Sequence, residues 1–108
     1  MNEADVFTRI GATLIERRNA SPESSYVAKL YARGPDSILK KIGEEAAELI
    51  MASKDGQPDP IVCEASDVVF HVMALLAFHG LSFDDVRREL ARREGTSGIA
   101  EKQARQPQ

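Results

Sequence analysis

The chain has 108 residues, the length of one domain, with 43% hydrophobic and 29% charged residues, a globular balance. Its formal net charge of −3 argues against a general nucleic-acid binder, which needs a basic footprint. The one cysteine, Cys63, leaves no internal disulfide, the N-terminal stretch lacks the basic and apolar blocks of a signal peptide, and no apolar run approaches the ~20 residues that span a bilayer, so a cytoplasmic protein with no membrane partner is expected.

Val6, Phe7, Ile10 and Leu14 recur at helical spacing and predict a first helix from about Glu3 to Arg18. Ser21-Pro22 is a cap followed by a proline suited to a first helical turn, and predicts a second helix carrying Tyr26, Val27, Leu30 and Tyr31 to about Gly34-Pro35. Asp36 is placed to cap a third, with Ile38, Leu39, Ile42, Ala46, Leu49 and Ile50 on its apolar arc, ending near Lys54. Asp59-Pro60 opens a fourth that runs to about His79 and stops at Gly80. Ser82 and Asp85 form a capping box for a fifth with Phe83, Val86 and Leu90. Gly95 to Gln108 is polar and reads as an extended or flexible tail, so the expected organisation is a helical domain over 1–94 and a C-terminal tail over 95–108. No useful length alternates with period two, and the loops are short. The expected fold class is therefore all-α, an antiparallel bundle of about five helices.

Two segments carry candidate chemistry. The third helix contains Glu44, Glu45 and Glu48, and the fourth contains Glu64 and Asp67. Residues three apart share a helix face, so Glu45 pairs with Glu48 and Glu64 with Asp67. On a wheel at roughly 100° per residue, Glu45 lies at the edge of the apolar arc and Glu44 on the solvent side. The fourth helix is apolar around most of its circumference, which predicts burial, yet Glu64, Asp67 and His71 form one polar stripe along it. Buried acids without basic neighbours on their own helix call for a cation, and carboxylate oxygens with waters and phosphate oxygens suit Mg²⁺. The plainer readings are that Glu44 to Glu48 are a solvated face and that Glu64 and Asp67 pair with arginines of a neighbouring helix.

Lys40 and Lys41 stand one turn before the acids, and Arg87, Arg88, Arg92 and Arg93 line the fifth helix. These cations, Lys40, Lys41, Arg88 and Arg92 above all, are candidates to hold phosphate, as is His71, which reads equally as a structural histidine. His79 at a helix end reads as a dipole complement, and Cys63 as a core residue. The breadth of the fourth helix's apolar surface also predicts a homodimer, since a single chain of this length has trouble covering it.

The spacing E-E-x-x-E at Glu44, Glu45 and Glu48, followed by E-x-x-D at Glu64 and Asp67, resembles the all-helical nucleotide pyrophosphohydrolases of the MazG-like superfamily. Ser25-Tyr26-Val27-Ala28-Lys29-Leu30, Ile38 to Ala46, Glu64 to His71, and Arg93 to Ile99 with Glu101-Lys102 are similar to the phosphoribosyl-ATP pyrophosphatase family within it. That resemblance implies hydrolysis of phosphoribosyl-ATP to phosphoribosyl-AMP and pyrophosphate, the second step of histidine biosynthesis, with Mg²⁺ and in a homodimer. The expected chemistry is metal-assisted attack of water on the α–β phosphoanhydride. Glu45, Glu48, Glu64 and Asp67 are the expected metal ligands, and Glu44 a supporting or water-positioning group. The runner-up is a house-cleaning nucleoside triphosphate pyrophosphatase with the same metal site. A helical interaction module whose acids merely face solvent is the alternative outside enzymology.

Overall fold

The computed structural model describes residues 5–105, and among them every regular element is helical. They are α1 (Val6–Arg17), α2 (Tyr26–Ala32), α3 (Pro35–Asp55), α4 (Pro58–Phe78), α5 (Phe83–Arg93) and α6 (Gly98–Arg105). The all-α fold class expected from the sequence is what the chain adopts. The expected start of α1 at Glu3 lies outside the described residues, as does the end of the tail after Arg105.

Several helix starts differ from the expectation, each for a local reason. Ser21 does not cap α2. Residues 21–24 close a turn, with the Ser24 hydroxyl donating to the Ser21 carbonyl at 2.6 Å, and the chain enters the helix only at Ser25, whose Oγ accepts the Ala28 N–H at 2.9 Å. A side-chain cap of this kind is worth about 1 kcal/mol. Asp36 does not cap α3 either. Gly34 at φ 87° makes a corner open to glycine, and Pro35 takes the first helical position where its missing N–H costs nothing. α4 begins at Pro58 rather than at Asp59-Pro60, by the same use of proline after Gln57. The Ser82–Asp85 capping box is present as expected.

The segment expected as an extended tail contains α6. Ser97 Oγ accepts the Ala100 N–H at 3.0 Å and starts the helix. Its buried residue is not apolar but Glu101, only 4% exposed, held by Arg92 at 2.7 Å and Arg105 at 3.0 Å. A helix anchored through a carboxylate under arginines shows no apolar stripe, so hydrophobic periodicity misses it.

α3 and α4, joined by a two-residue turn, pack along each other and form the spine. α1 crosses α4, and α2 packs on α3. Both tyrosines of α2 also reach α4, where the Tyr31 hydroxyl donates to the Ala74 carbonyl at 2.9 Å. The core gathers Leu14, Leu30, Ile38, Met73, Ala74 and Ala77, toward the C-terminal half of α4. Among the large side chains of the described residues, only Leu14 and Ile38 are fully buried, each contributing about 1.5–3 kcal/mol.

One face of the N-terminal half of α4 is uncovered, contrary to the burial expected from its composition. Val62 is 64% exposed, and Cys63, expected in the core, is exposed as well. An apolar groove of about 450 Å³ runs here between α1 and α4, lined by Phe7, Ile10, Ile61, Val62, Val69 and Phe70. The radius of gyration is 16.3 Å, against about 13 Å for a compact domain of this length. By length and composition α4, 21 residues long with an 18-residue stretch of mean hydropathy 1.8, would also reach across a bilayer, which corrects the expectation that no apolar stretch approaches that length. Glu64 and Asp67 interrupt the run in the sequence, but the helix as a whole remains apolar on average. In the fold it is the central helix, in contact with α1 and α3.

Candidate metal centre

The antiparallel pairing of α3 and α4 brings the two acidic segments face to face. Carboxylate oxygens of Glu45, Glu48 and Glu64 lie within 4.8 Å of one another. A second group at the same limit joins Glu64 to Asp67 and to the Cys63 sulfur. Glu64 is thus shared between the two groups, and Asp67 enters through it. Glu45 is buried at 8% exposure, Glu64 and Asp67 are half-buried, and Glu48 is exposed. Glu44, one residue before Glu45, is exposed and stands 3.6 Å from Lys41.

Charge in this cluster is only partly balanced. Lys41 Nζ lies 3.2 Å from Glu45 Oε1, the nearest cation to the acids. This contact holds the Glu45 carboxyl below the ordinary range, against the opposing effect of burial, and lifts Lys41 above its own. Glu48 moves the other way, because the Glu45 and then the Glu64 carboxylates crowd it and raise its pKa. The remaining oxygens of Glu45 and Glu64, their Oε2 atoms, are buried without a hydrogen-bond partner. An unmatched buried acceptor of this kind costs about 1–3 kcal/mol, more when charged. Two such atoms, from facing helices, are what a divalent cation would satisfy. Hard oxygen donors in this number fit Mg²⁺ or a similar ion, so the residues present suit the group.

His71 is on the expected stripe, one turn beyond Asp67, but both ring nitrogens are engaged. Nδ1 lies 2.8 Å from the Asp67 carbonyl and Nε2 2.8 Å from the Tyr26 hydroxyl. At 6% exposure, the ring has no nitrogen left for a phosphate in this arrangement. Tyr26 was read in the sequence as an apolar helix residue and as part of the family-like Ser25 to Leu30 segment, with no role of its own. Its partnership with a histidine 45 positions away has no signal in local spacing.

The other expected phosphate ligands are dispersed. Lys40 is exposed on α3 and makes no ion pair among the described residues. Arg88 pairs with Asp85 within α5, and Arg92 with Glu89 and with Glu101, the second contact fastening α5 to α6. Glu89, between Arg92 and Arg93, is held down to about 2 by their guanidinium groups. Arg87 bridges Asp84 and Asp5, tying α5 to the cap of α1.

A family model described as phosphoribosyl-ATP pyrophosphohydrolase matches residues 7–94, a span that holds all five acids. Proteins named phosphoribosyl-ATP pyrophosphatase are similar over nearly the whole chain. The one from Dechloromonas aromatica is 60% identical over 105 residues, covering 97% of each chain. The one from Azoarcus sp. is 55% identical, covering 97% of this chain and 98% of its own. The one from Methylococcus capsulatus is 54% identical, covering 94% and 96%.

Proposed function

The chain belongs to the phosphoribosyl-ATP pyrophosphohydrolase family, and we propose that its reaction, hydrolysis of phosphoribosyl-ATP to phosphoribosyl-AMP and pyrophosphate in histidine biosynthesis, runs on the α3–α4 carboxylate cluster. The observation that carries this reading is the pair of buried, partnerless oxygens on Glu45 and Glu64. Glu45, Glu48, Glu64 and Asp67 would hold Mg²⁺. When bound, the ion polarises phosphoryl oxygens and offsets charge on the leaving pyrophosphate.

The chain's own groups do the rest. Glu45 and Glu64 raise the pKa of Glu48, so at that carboxylate a cation competes with a proton. Lys41, already against Glu45, is the nearest cation for a phosphate oxygen, with Lys40 beside it in sequence. Glu44, exposed next to Glu45, is our candidate to position the attacking water and accept its proton. The water oxygen forms the new bond to phosphorus as the α–β bridge breaks, and pyrophosphate leaves with the bridging oxygen. Arg88 and Arg92 join a phosphate only by leaving Asp85, Glu89 and Glu101.

We also propose a cytoplasmic homodimer, with no nucleic acid or membrane as partner. Its support is the open apolar groove along α4 and the expanded radius of the single chain. A side-by-side assay of phosphoribosyl-ATP and deoxynucleoside triphosphates tests the substrate. Pyrophosphate release from phosphoribosyl-ATP should dominate; a preference for the triphosphates would turn the reading to a house-cleaning enzyme with the same metal chemistry.

A further inference from the structure

α6 is docked through charge rather than through apolar surface. From Glu94 to Arg105 every residue is exposed except Glu101, at 4% exposure. Ile99, the largest apolar residue of the helix, is 76% exposed. The hydrophobic core and the side chains packed around it come from α1 to α5. What meets the buried carboxylate is a set of guanidiniums. Arg92 Nη2 stands 2.7 Å and Arg93 Nε 3.9 Å from Glu101 Oε1, both from the last turn of α5. Arg105 Nε stands 3.0 Å from the same oxygen, one turn further along α6.

Two features make this contact a latch. An isolated helix shorter than ~12–15 residues is marginal in water, and α6 has 8, so it owes its helical form to being docked. The chain between the two helices, Glu94 to Ser97, is exposed throughout and turns at Gly95, whose φ of 77° is open to glycine. Breaking the Glu101 contact therefore frees α6 about this linker without taking any residue out of the core. Opening also releases Arg92 and Arg93, which are left to share the carboxylate of Glu89.

We propose that α6 is a strap closed by one ion-pair latch: Glu101 fastens it to Arg92 and Arg93, and it opens and re-forms as a unit while the α1–α5 bundle stays folded. Salt loosens the latch, because its guanidinium side chains remain 53%, 37% and 57% exposed for Arg92, Arg93 and Arg105, and dissolved ions screen exposed charges. The latch uses none of the acids on α3 and α4, so it stands apart from the metal reading.

Amide hydrogen exchange of the full chain, labelled from milliseconds to minutes, tests this, since a segment that opens locally exchanges ahead of the core. Glu101→Gln should speed exchange over residues 99–105 at least about tenfold, the scale of a lost hydrogen bond to a charged group, and leave α3 and α4 at their wild-type rates. Arg92→Gln should speed the same segment, and the double variant should fall well short of the product of the two single effects, because both break one contact. Lys102→Gln, which removes an exposed charge from the same helix, should change nothing. Raising sodium chloride from about 0.05 to 0.5 M should speed exchange over residues 99–105 in wild type and have less effect in Glu101→Gln. Unchanged exchange in Glu101→Gln, equal acceleration in Lys102→Gln, or α3 and α4 accelerating in step with α6 overturns the proposal. So does a double variant equal to the product of the single effects, or a salt response in Glu101→Gln as large as that of wild type.

Discussion

Lys41 Nζ stands 3.2 Å from Glu45 Oε1, one turn earlier on α3, and so holds one oxygen of a carboxylate whose other oxygen is buried and partnerless. The lysine neutralises half of the group and leaves the other half to a ligand. Glu44, next in sequence, faces solvent and meets the same lysine only at 3.6 Å. Glu45→Gln should therefore cost at least about a hundredfold in kcat/KM, as expected when a group that stabilises developing charge is lost. Glu44→Gln should cost less. Steady-state assays of the two variants check this, and a reversed order would move Glu44 into the metal's ligand set.

Stability of the metal-free protein should depend on pH through Glu48. Its folded pKa is raised above the ordinary 4.5 by Glu45 and Glu64. Between the two values the folded state binds more protons than the unfolded one, so stability falls as pH rises through that window. Glu45 has the opposite sign: its lowered pKa, set first by Lys41, contributes stability above 4.5 that is lost as pH falls through the lowered value. Thermal unfolding in chelator should show a Tm that declines from about pH 4.5 upward, and Glu48→Gln should flatten the decline. Added Mg²⁺ should raise Tm most at the upper end, where the acids are ionised and free to bind it.

The uncovered face of α4 predicts association. Val62 at 64% exposure and the groove beside it leave apolar surface that a second copy would bury. Sedimentation velocity should find a dimer across the micromolar range, with activity and stability falling together on dilution. Val62→Asp should give an aggregating or poorly folded chain. A stable, fully active monomer at micromolar concentration would refute the dimer.

Much of this architecture is legible in the residues, and its gaps have physical causes. The apolar arcs of α1, α3 and α4 and the Ser82–Asp85 box place their helices because each is a local signal. Ser21-Pro22 has the residue types of a helix start, but the turn closed by Ser24 onto Ser21 delays the helix to Ser25. α6 was hidden because its anchor is the Glu101 carboxylate under arginines from α5 and α6. Composition made α4 look buried, and with it Cys63. The single chain leaves one face of the helix's N-terminal half open, since burial there depends on what packs against it. The helical wheel separates Glu45 from Glu44 along one helix, but it cannot see Tyr26 meeting His71, a contact between helices.

Glu64 decides the central claim most directly, because it is the one carboxylate common to both acidic groups and holds a buried oxygen without a partner. Calorimetric titration of Mg²⁺ or Mn²⁺ into wild type and Glu64→Gln, both metal-free at the start, measures it without reference to turnover. The account predicts that wild type binds and that Glu64→Gln, with its helical content intact, loses at least tenfold in affinity, in the range that follows loss of a metal-supporting group. Unchanged affinity in Glu64→Gln would contradict it.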